Sequence, residues 1–174
     1  MKKVISIILA CVLLQSCATV EHSISTETTR NFNDKYIDIG FDASATIIQF
    51  SLRNRSDKEI ILDWDNVRFI DLSGRSSKVM HSGVSSSQRF DKHAPASIAP
   101  HTTLDDFMSP VTGPLFIYQD EVEKPTSKKV KVKMPIIMDG QSKEYIFNFD
   151  PKELYMKDKE IIEKATEELK NNPY

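Results

Sequence analysis

Apolar and polar residues alternate in short segments along the first half of the chain, with turn-forming residues between the segments. In the clearest segment Ile48, Phe50 and Leu52 occupy alternate positions, so they share one face of an extended chain. A period of two is typical of a β-strand with one buried face. We predict a first strand at residues 36–41, a hairpin of 46–52 with 59–64, and a second hairpin of 67–72 with 78–81 that turns at Gly74.

A stronger hairpin signal surrounds Asp139-Gly140. Residues 129–138 alternate apolar side chains with lysines, and residues 143–149 place aromatic side chains at alternate positions. An Asp-Gly pair between two alternating segments is typical of a type I′ turn. One face of this hairpin is therefore predicted to be core and the other to be solvated.

Residues 85–114 lack this alternation and contain four prolines. Proline cannot donate to a strand ladder, which argues against central strands here. We expect an irregular loop anchored to the core by Ile98, Leu104 and Phe107, with at most a short strand or a helical turn near 103–108. Residues 115–118 are predicted to be a further short strand.

The period changes after Asp150-Pro151. Asp150 is suited to cap a helix whose first residue is Pro151, and a sparse apolar stripe continues to residue 170 among many Lys and Glu residues. About seven short strands followed by a helix predict a mainly β protein. The fold class that we expect is an immunoglobulin-like antiparallel β-sandwich with a C-terminal α-helix.

These patterns divide the chain into four parts. Residues 18–34 are rich in Ser, Thr and Glu and show no sustained period, so we interpret 17–34 as a flexible tether with a reach of roughly 20–25 Å. Residues 35–150 form the predicted sandwich domain, and residues 151–174 form the helix and a tail. Residues 1–16 have the pattern of a signal peptide.

That pattern begins with Lys2 and Lys3, which precede an apolar run over residues 4–14. The run suits a secretory signal peptide and is too short to cross a bilayer, which takes about 20 residues. It ends in Leu14-Gln15-Ser16-Cys17, which resembles the lipobox of bacterial lipoproteins.

The lipobox resemblance implies cleavage between Ser16 and Cys17 and covalent attachment of lipid to Cys17. The next residue is Ala18 and not Asp, which in Gram-negative lipoproteins implies sorting to the outer membrane, usually to its periplasmic face. Two or three acyl chains would make such an anchor effectively permanent. We expect no cofactor beyond this covalent lipid.

Composition narrows the set of partners. The formal net charge of −2 becomes more negative when Lys2 and Lys3 leave, which argues against nucleic acid and against a polybasic membrane-binding patch. Cys11 would leave with the signal peptide and Cys17 would carry lipid. The mature domain is therefore expected to have no disulfide, although its compartment would permit one.

A second resemblance covers roughly residues 46–110. It rests on Leu52, Asn54, Ser56, Ile61, Asp63, Trp64, Asp65, Phe69, Ile70, Asp71, Gly74, Val79, His81, Gly83, Val84, Ile98, Pro100, Leu104 and Asp106. The pattern is similar to one in small, uncharacterised bacterial lipoproteins with an immunoglobulin-like sandwich. The resemblance implies the fold and no particular activity.

The loop between 85 and 114 and the strand before it contain the candidate site residues. These are His81, His93, His101 and Asp105, with Asp91 and Asp106 nearby in sequence. Zinc ligands usually show close local spacing such as H-x-x-x-H, whereas these histidines are 12 and 8 residues apart. We therefore predict no metal site. The alternative to a functional site in the loop is that these histidines form hydrogen bonds with the loop backbone or face solvent.

The triplet Asp63-Trp64-Asp65 permits two interpretations. Two carboxylates flanking an aromatic ring occur in carbohydrate binders and glycosidases. Consecutive strand residues point to opposite faces, however, so Trp64 is predicted to be core, with both carboxylates on the other face.

The sequence shows no G-x-S-x-G, no phosphate-binding glycine pattern and no cysteine nucleophile in the mature part. We therefore predict a non-enzymatic, membrane-anchored lipoprotein that binds or scaffolds another envelope component. The alternative is an envelope hydrolase or glycan-binding enzyme that uses the 85–114 loop. The C-terminal helix either packs on the sandwich or docks in a protein partner, since its carboxylates disfavour anionic membranes.

Overall fold

The computed structural model describes residues 23–25, 30–113 and 128–171. In chain order its strands are β1 (Ser23–Ser25), β2 (Asn31–Asn33), β3 (Ile37–Ala43), β4 (Ile48–Asn54), β5 (Ile60–Leu62), β6 (Arg68–Ile70), β7 (Ser76–Ser77), β8 (Val79–His81), β9 (Ala96–Ile98), β10 (Thr103–Pro110), β11 (Val130–Met138) and β12 (Gln141–Phe149). One helix, α1 (Pro151–Asn171), follows the last strand, and short 3-10 turns occur at Trp64–Asn66 and Ser86–Gln88.

The strands form two sheets. The first has the order β1-β12-β11-β5-β9, with β6 beside β11 and β7 beside β6, and the second has the order β2-β3-β4-β10-β8. The pairs between described strands are antiparallel except that β1 runs parallel to β12. The predicted fold class is confirmed: the protein is mainly β, a sandwich of two largely antiparallel sheets with a C-terminal helix. The described residues form twelve strands and not about seven, because several strands are only two or three residues long.

The core lies between the two sheets. On β4 the apolar Ile48, Phe50 and Leu52 are buried while the residues between them are exposed, as the alternation predicts. The large side chains of β11 and β12, including Met134, Tyr145 and Phe147, are fully buried and belong to the same hydrophobic cluster. Burial of each such side chain stabilises the fold by about 1.5–3 kcal/mol, so these three long strands contribute much of the stability of the sandwich.

The Asp139-Gly140 hairpin and the helix start are confirmed. Met138 is opposite Gln141, and Asp139 and Gly140 have φ angles of 52° and 75°, as a type I′ turn requires. Asp150 caps α1 by accepting a hydrogen bond of 2.9 Å from the backbone N–H of Lys152.

Of the two hairpins predicted in the first half, the first is wrong, because β4 lies in the second sheet whereas β5 lies in the first. The second is right in its first strand and in its turn at Gly74, where φ is 85°. Its returning strand is β7 and not 78–81, since β8 crosses to β10. Buried Asn54 holds the first crossing, because its amide donates to the carbonyl of Lys58 at 2.7 Å and to that of Ile98 at 2.9 Å. Alternation shows that one face of a strand is buried but does not identify the neighbouring strand.

The loop expected at 85–114 is also partly wrong, because β10 is a long strand flanked on both sides by β4 and β8. Its proline, Pro110, is tolerated because it is the last residue of the strand. Ile98 is in the core and Leu104 packs against it, but Phe107 shares the outer face with Asp105. In β11, Pro135 lies between the stretches that pair with β6 and β5, so its missing N–H falls where that ladder is interrupted.

The predicted tether at 17–34 ends too late in the sequence. Both β1 and β2 fall within it, and they escape a search for alternation because each is only three residues long. Asp34 fixes the entry to the domain, since it accepts hydrogen bonds from the backbone N–H groups of Tyr36 at 2.8 Å and Ile37 at 2.9 Å.

Several predictions lie outside the described residues. They are the signal peptide at 1–16, the cleavage and lipidation site at Ser16 and Cys17, and the strand at 115–118. Within the described residues, no helix has the length and apolarity needed to span a membrane.

Candidate functional site

Two of the predicted loop-site residues meet in the structure. His81 is the last residue of β8, and His93 lies on the segment between β8 and β9. Their ring centroids are 5.1 Å apart with an interplanar angle of 65°. His81 also stacks on Trp64, with centroids 4.1 Å apart and planes only 2° from parallel. Because Trp64 follows β5 of the first sheet, this stack joins the two sheets at one point.

A third titratable group, Asp106 on β10, completes this cluster. Met108 is opposite His81 in the β8–β10 register, and Asp106 precedes Met108 by two residues on the same face. Its Oδ2 lies 3.6 Å from Nδ1 of His81, and its side chain is 5 % exposed. Its Oδ1 accepts hydrogen bonds from the backbone N–H groups of Ser82 at 3.0 Å and Phe107 at 2.7 Å.

The electrostatics favour a neutral imidazole at His81. Burial lowers the pKa of His81 below its usual value, an effect that the carboxylate of Asp106 opposes and the neighbouring His93 reinforces. Both ring nitrogens of His81 and Nε2 of His93 are buried without a hydrogen-bond partner among the described residues. Such groups are uncommon in folded proteins and merit an explanation.

A second set of contacts attaches the segment beside the cluster. Nζ of Lys78 lies 2.6 Å from Oδ1 of Asp65 and donates to the backbone carbonyl of Asp91 at 3.3 Å. Asp65 also accepts a hydrogen bond from the backbone N–H of His93, and Lys78 is the main cause of the lowered pKa of Asp65. Residues 91–93 are thereby tied to the Trp64–Asn66 turn.

The structure does not bring the other two candidate residues to this cluster. His101 is 58 % exposed and pairs with Asp57 at 3.0 Å. Asp105 is exposed on the outer face, opposite Ser51. The carboxylate that sequence reasoning missed as a site residue is Asp106. The sequence contains a signal for it, because Asp106 is two residues from both Leu104 and Met108 and therefore shares the strand face that they turn toward the core.

The Asp63-Trp64-Asp65 triplet does not act as one unit. Trp64 is 2 % exposed and is core, as predicted, although it sits in a 3-10 turn and not in a strand. Asp63 accepts a hydrogen bond from the side-chain amide of Asn66, whereas Asp65 pairs with Lys78. Across the described residues, no three His, Cys, Asp or Glu side chains form a group that could hold a metal ion.

The helix α1 presents a different kind of surface. Only Pro151 and Leu154 of the helix are buried, and every residue from 159 to 171 is exposed. The apolar side chains of this projecting part include Ile161 at 46 %, Ile162 at 65 % and Leu169 at 64 % exposure. The helix therefore packs on the sandwich by its first turns alone.

Comparisons with known proteins place the chain in no family. No protein-family model matches it, and no curated protein matches it. Among solved structures, the yjhA protein from Bacillus subtilis aligns over 74 % of this chain and 99 % of its own, with 8 % identity and a TM-score of 0.42. The ASH / PapD-like domain 7 of human CEP192 aligns over 75 % of this chain and 82 % of its own, with 8 % identity and a TM-score of 0.24. Similarity this distant supports no conclusion about the function of this protein.

Proposed function

We propose that this protein is a bacterial lipoprotein, anchored through Cys17 at the periplasmic face of the outer membrane, that acts as a non-enzymatic binding module of the cell envelope. The lipobox pattern supports the anchor. The sandwich supplies a rigid body, and the projecting part of α1 supplies the docking surface. The exposed apolar stripe of that helix is the observation that carries the binding role.

The spacing of the stripe suits a partner with an apolar groove. Ile162, Ala165 and Leu169 occupy positions i, i+3 and i+7, the anchor positions of a helix that lies in a groove. Glutamates and lysines flank them, including the ion pair of Lys164 with Glu160 at 2.9 Å. A helix shorter than about 12–15 residues is marginal on its own in water, so a partner that covers the stripe would also stabilise the projecting part.

Site-specific photo-crosslinking in cells tests this role. A photoreactive residue at position 162 should capture an envelope protein, whereas the same residue at position 167, on the opposite side of the helix, should capture little. Adding Leu169→Asp to the position-162 probe should abolish the capture. Equal capture at both positions, or capture that survives Leu169→Asp, would show that the stripe is not the docking surface.

The anchor is tested separately, so that its failure is distinguishable from failure of the docking surface. Cys17→Ser should abolish labelling by radioactive palmitate and release the protein from the membrane fraction. Retention of Cys17→Ser in the outer-membrane fraction would contradict the anchor and leave the crosslinking result intact.

The competing function is an envelope hydrolase or glycan-binding enzyme at the His81 cluster. The observation in its favour is a buried imidazole whose pKa is lowered beside a carboxylate, an arrangement that suits a general base. Turnover of envelope glycans or peptides by the purified protein, lost in His81→Gln, would overturn the non-enzymatic proposal.

A further inference from the structure

We propose that His81 and His93 form an acid-operated latch that holds residues 82–95, here called the latch segment, on the sandwich at neutral pH and releases it in acid. This inference concerns regulation of the fold and depends on neither the lipid anchor nor the helix. It rests on the burial of the two imidazoles, on their mutual distance and on the shortage of carboxylates around them.

The latch segment has few attachments to the core. His93 is its one buried residue, at 8 % exposure, and Val84 is half-buried while the rest of the segment is exposed. The segment is held at its start by the hydrogen bond from Ser82 to Asp106, and near its end by the contacts of Asp65 and Lys78. Displacement of the His93 ring would therefore remove its main apolar contact with the body.

Protonation places positive charge inside the cluster. A proton on His81 creates a cation beside Asp106, which can approach from the present 3.6 Å to form an ion pair. A cation on His93 as well would lie in a ring centred 5.1 Å from the first, with both rings largely out of water. Like charges at this distance disfavour the closed arrangement.

The charged groups around the pair cannot neutralise both cations. Asp106 faces them from β10, and Asp65 faces His93 from the Trp64–Asn66 turn. The charge of Asp65 is already matched by Lys78 at 2.6 Å, and Lys92 adds a further positive charge near Asp65. One carboxylate thus faces two imidazolium ions. Moving His93 into water relieves the excess charge, because the segment that carries it is otherwise solvated.

Hydrogen exchange measured at pH 7.5 and pH 5.0 tests the latch. The protection factor of the latch segment, which corrects for the intrinsic effect of pH on exchange, should fall about tenfold between the two pH values, which corresponds to about 1.4 kcal/mol in the free energy of opening. Protection in β11 and β12 should stay constant. Fluorescence of Trp64, the single tryptophan of the chain, should change over the same pH range, because the imidazole of His81 that stacks on it becomes charged.

Variants decide between the latch and a general effect of acid. The readout is the ratio of the protection factor of the latch segment at pH 7.5 to that at pH 5.0. His93→Gln and His81→Gln should each bring this ratio close to one, whereas the exposed control His101→Gln should behave as wild type. The ratio is the readout, so a variant whose segment is looser at both pH values still gives an answer. An unchanged ratio in wild type, or a wild-type ratio in His93→Gln, would overturn the latch.

Zinc alone provides the remaining arm of the experiment. Addition of one equivalent of Zn²⁺ to chelator-treated protein at pH 7.5 should leave its Tm unchanged, in agreement with the absence of a three-ligand group among the described residues. A rise in Tm that disappears in His81→Gln would replace the latch by a metal site.

Discussion

The replacement Asp34→Asn should destabilise the sandwich strongly at neutral pH and hardly at all in acid. The carboxylate of Asp34 joins the start of β3 to β12, since its Oδ2 accepts from Nζ of Lys143 at 2.8 Å and from the hydroxyl of Tyr145 at 2.9 Å. Its Oδ1 accepts from the backbone N–H groups of Tyr36 and Ile37. The side chains of the ion pair are only 18–19 % exposed, so water cannot readily replace these bonds.

An amide in place of the carboxylate keeps the shape but turns an N–H₂ group or a neutral oxygen toward the ammonium and the phenol. Hydrogen bonds to charged groups contribute about 1.5–3 kcal/mol each, and some of this is retained by the amide oxygen. We therefore expect Asp34→Asn to lower the free energy of unfolding at pH 7 by about 2–3 kcal/mol. For a domain of this size Tm should fall by roughly 6–12 °C.

The pH dependence has a definite sign. Burial raises the pKa of Asp34, but the hydrogen bonds from Lys143, the two backbone N–H groups and Tyr145 lower it by more than burial raises it. The pKa in the folded protein therefore lies below the ordinary 3.8. The stabilisation is therefore present above pH 3.8 and is lost as the pH falls through the folded pKa. Urea denaturation at pH 7 and at pH 3 should show the difference between wild type and Asp34→Asn shrinking in acid.

Asp139→Asn is the matched control, because Asp139 also pairs with a lysine at 2.9 Å but both side chains are at least 63 % exposed. Exposed pairs contribute at most about 1 kcal/mol. If Asp34→Asn is no more destabilising than Asp139→Asn, or if its effect is the same at both pH values, the assignment of Asp34 as the link between the sheets is incorrect.

Four further replacements test other features of the fold. Asn54→Ala removes the amide that donates to the buried carbonyl of Ile98 and the partly buried carbonyl of Lys58, and it should cost at least about 2 kcal/mol by urea denaturation; a smaller effect would mean that the crossing between sheets does not depend on it. Gly140→Ala should cost about 1–2 kcal/mol, because φ is 75° there, and an unchanged Tm would argue against the type I′ turn. On α1, Leu154→Ala should cost about 2–4 kcal/mol and the exposed Ile162→Ala less than about 0.5 kcal/mol. Equal effects of these two would indicate that the distal half of the helix packs on the sandwich.

Local signals predicted the elements whose formation depends on neighbouring residues. The alternation of Ile48, Phe50 and Leu52, the Asp139-Gly140 turn and the Asp150 cap all reappear because each is decided within a few residues. Strand pairing is decided by contacts between distant residues, which explains why β4 and β5 were placed in one hairpin although they belong to different sheets.

The candidate site was predictable to the same extent. His81 and His93 could be recognised by residue type, but their convergence depends on β8 crossing to the second sheet. The prolines of residues 85–114 favour a loop, and in a loop the alternation of faces does not distinguish Asp105 from Asp106. Once Thr103–Pro110 is known to be a strand, Asp106 is expected to face the core, because it is two residues from the buried Met108 and so shares its face.

The pairing of β1 with β12 would determine how the domain is oriented on a membrane if Cys17 carries the proposed lipid. In a chain lipidated at Cys17, only six residue steps separate the lipid from Ser23, a span of at most about 20 Å. Ser23 lies opposite Glu144 and the two strands run in parallel, so the chain enters β1 from the side of the Asp139-Gly140 turn. The helix α1 leaves from the opposite end of β12. In a lipid-anchored protein the Asp139-Gly140 turn would therefore lie toward the membrane, and the start of α1 would lie on the side away from it.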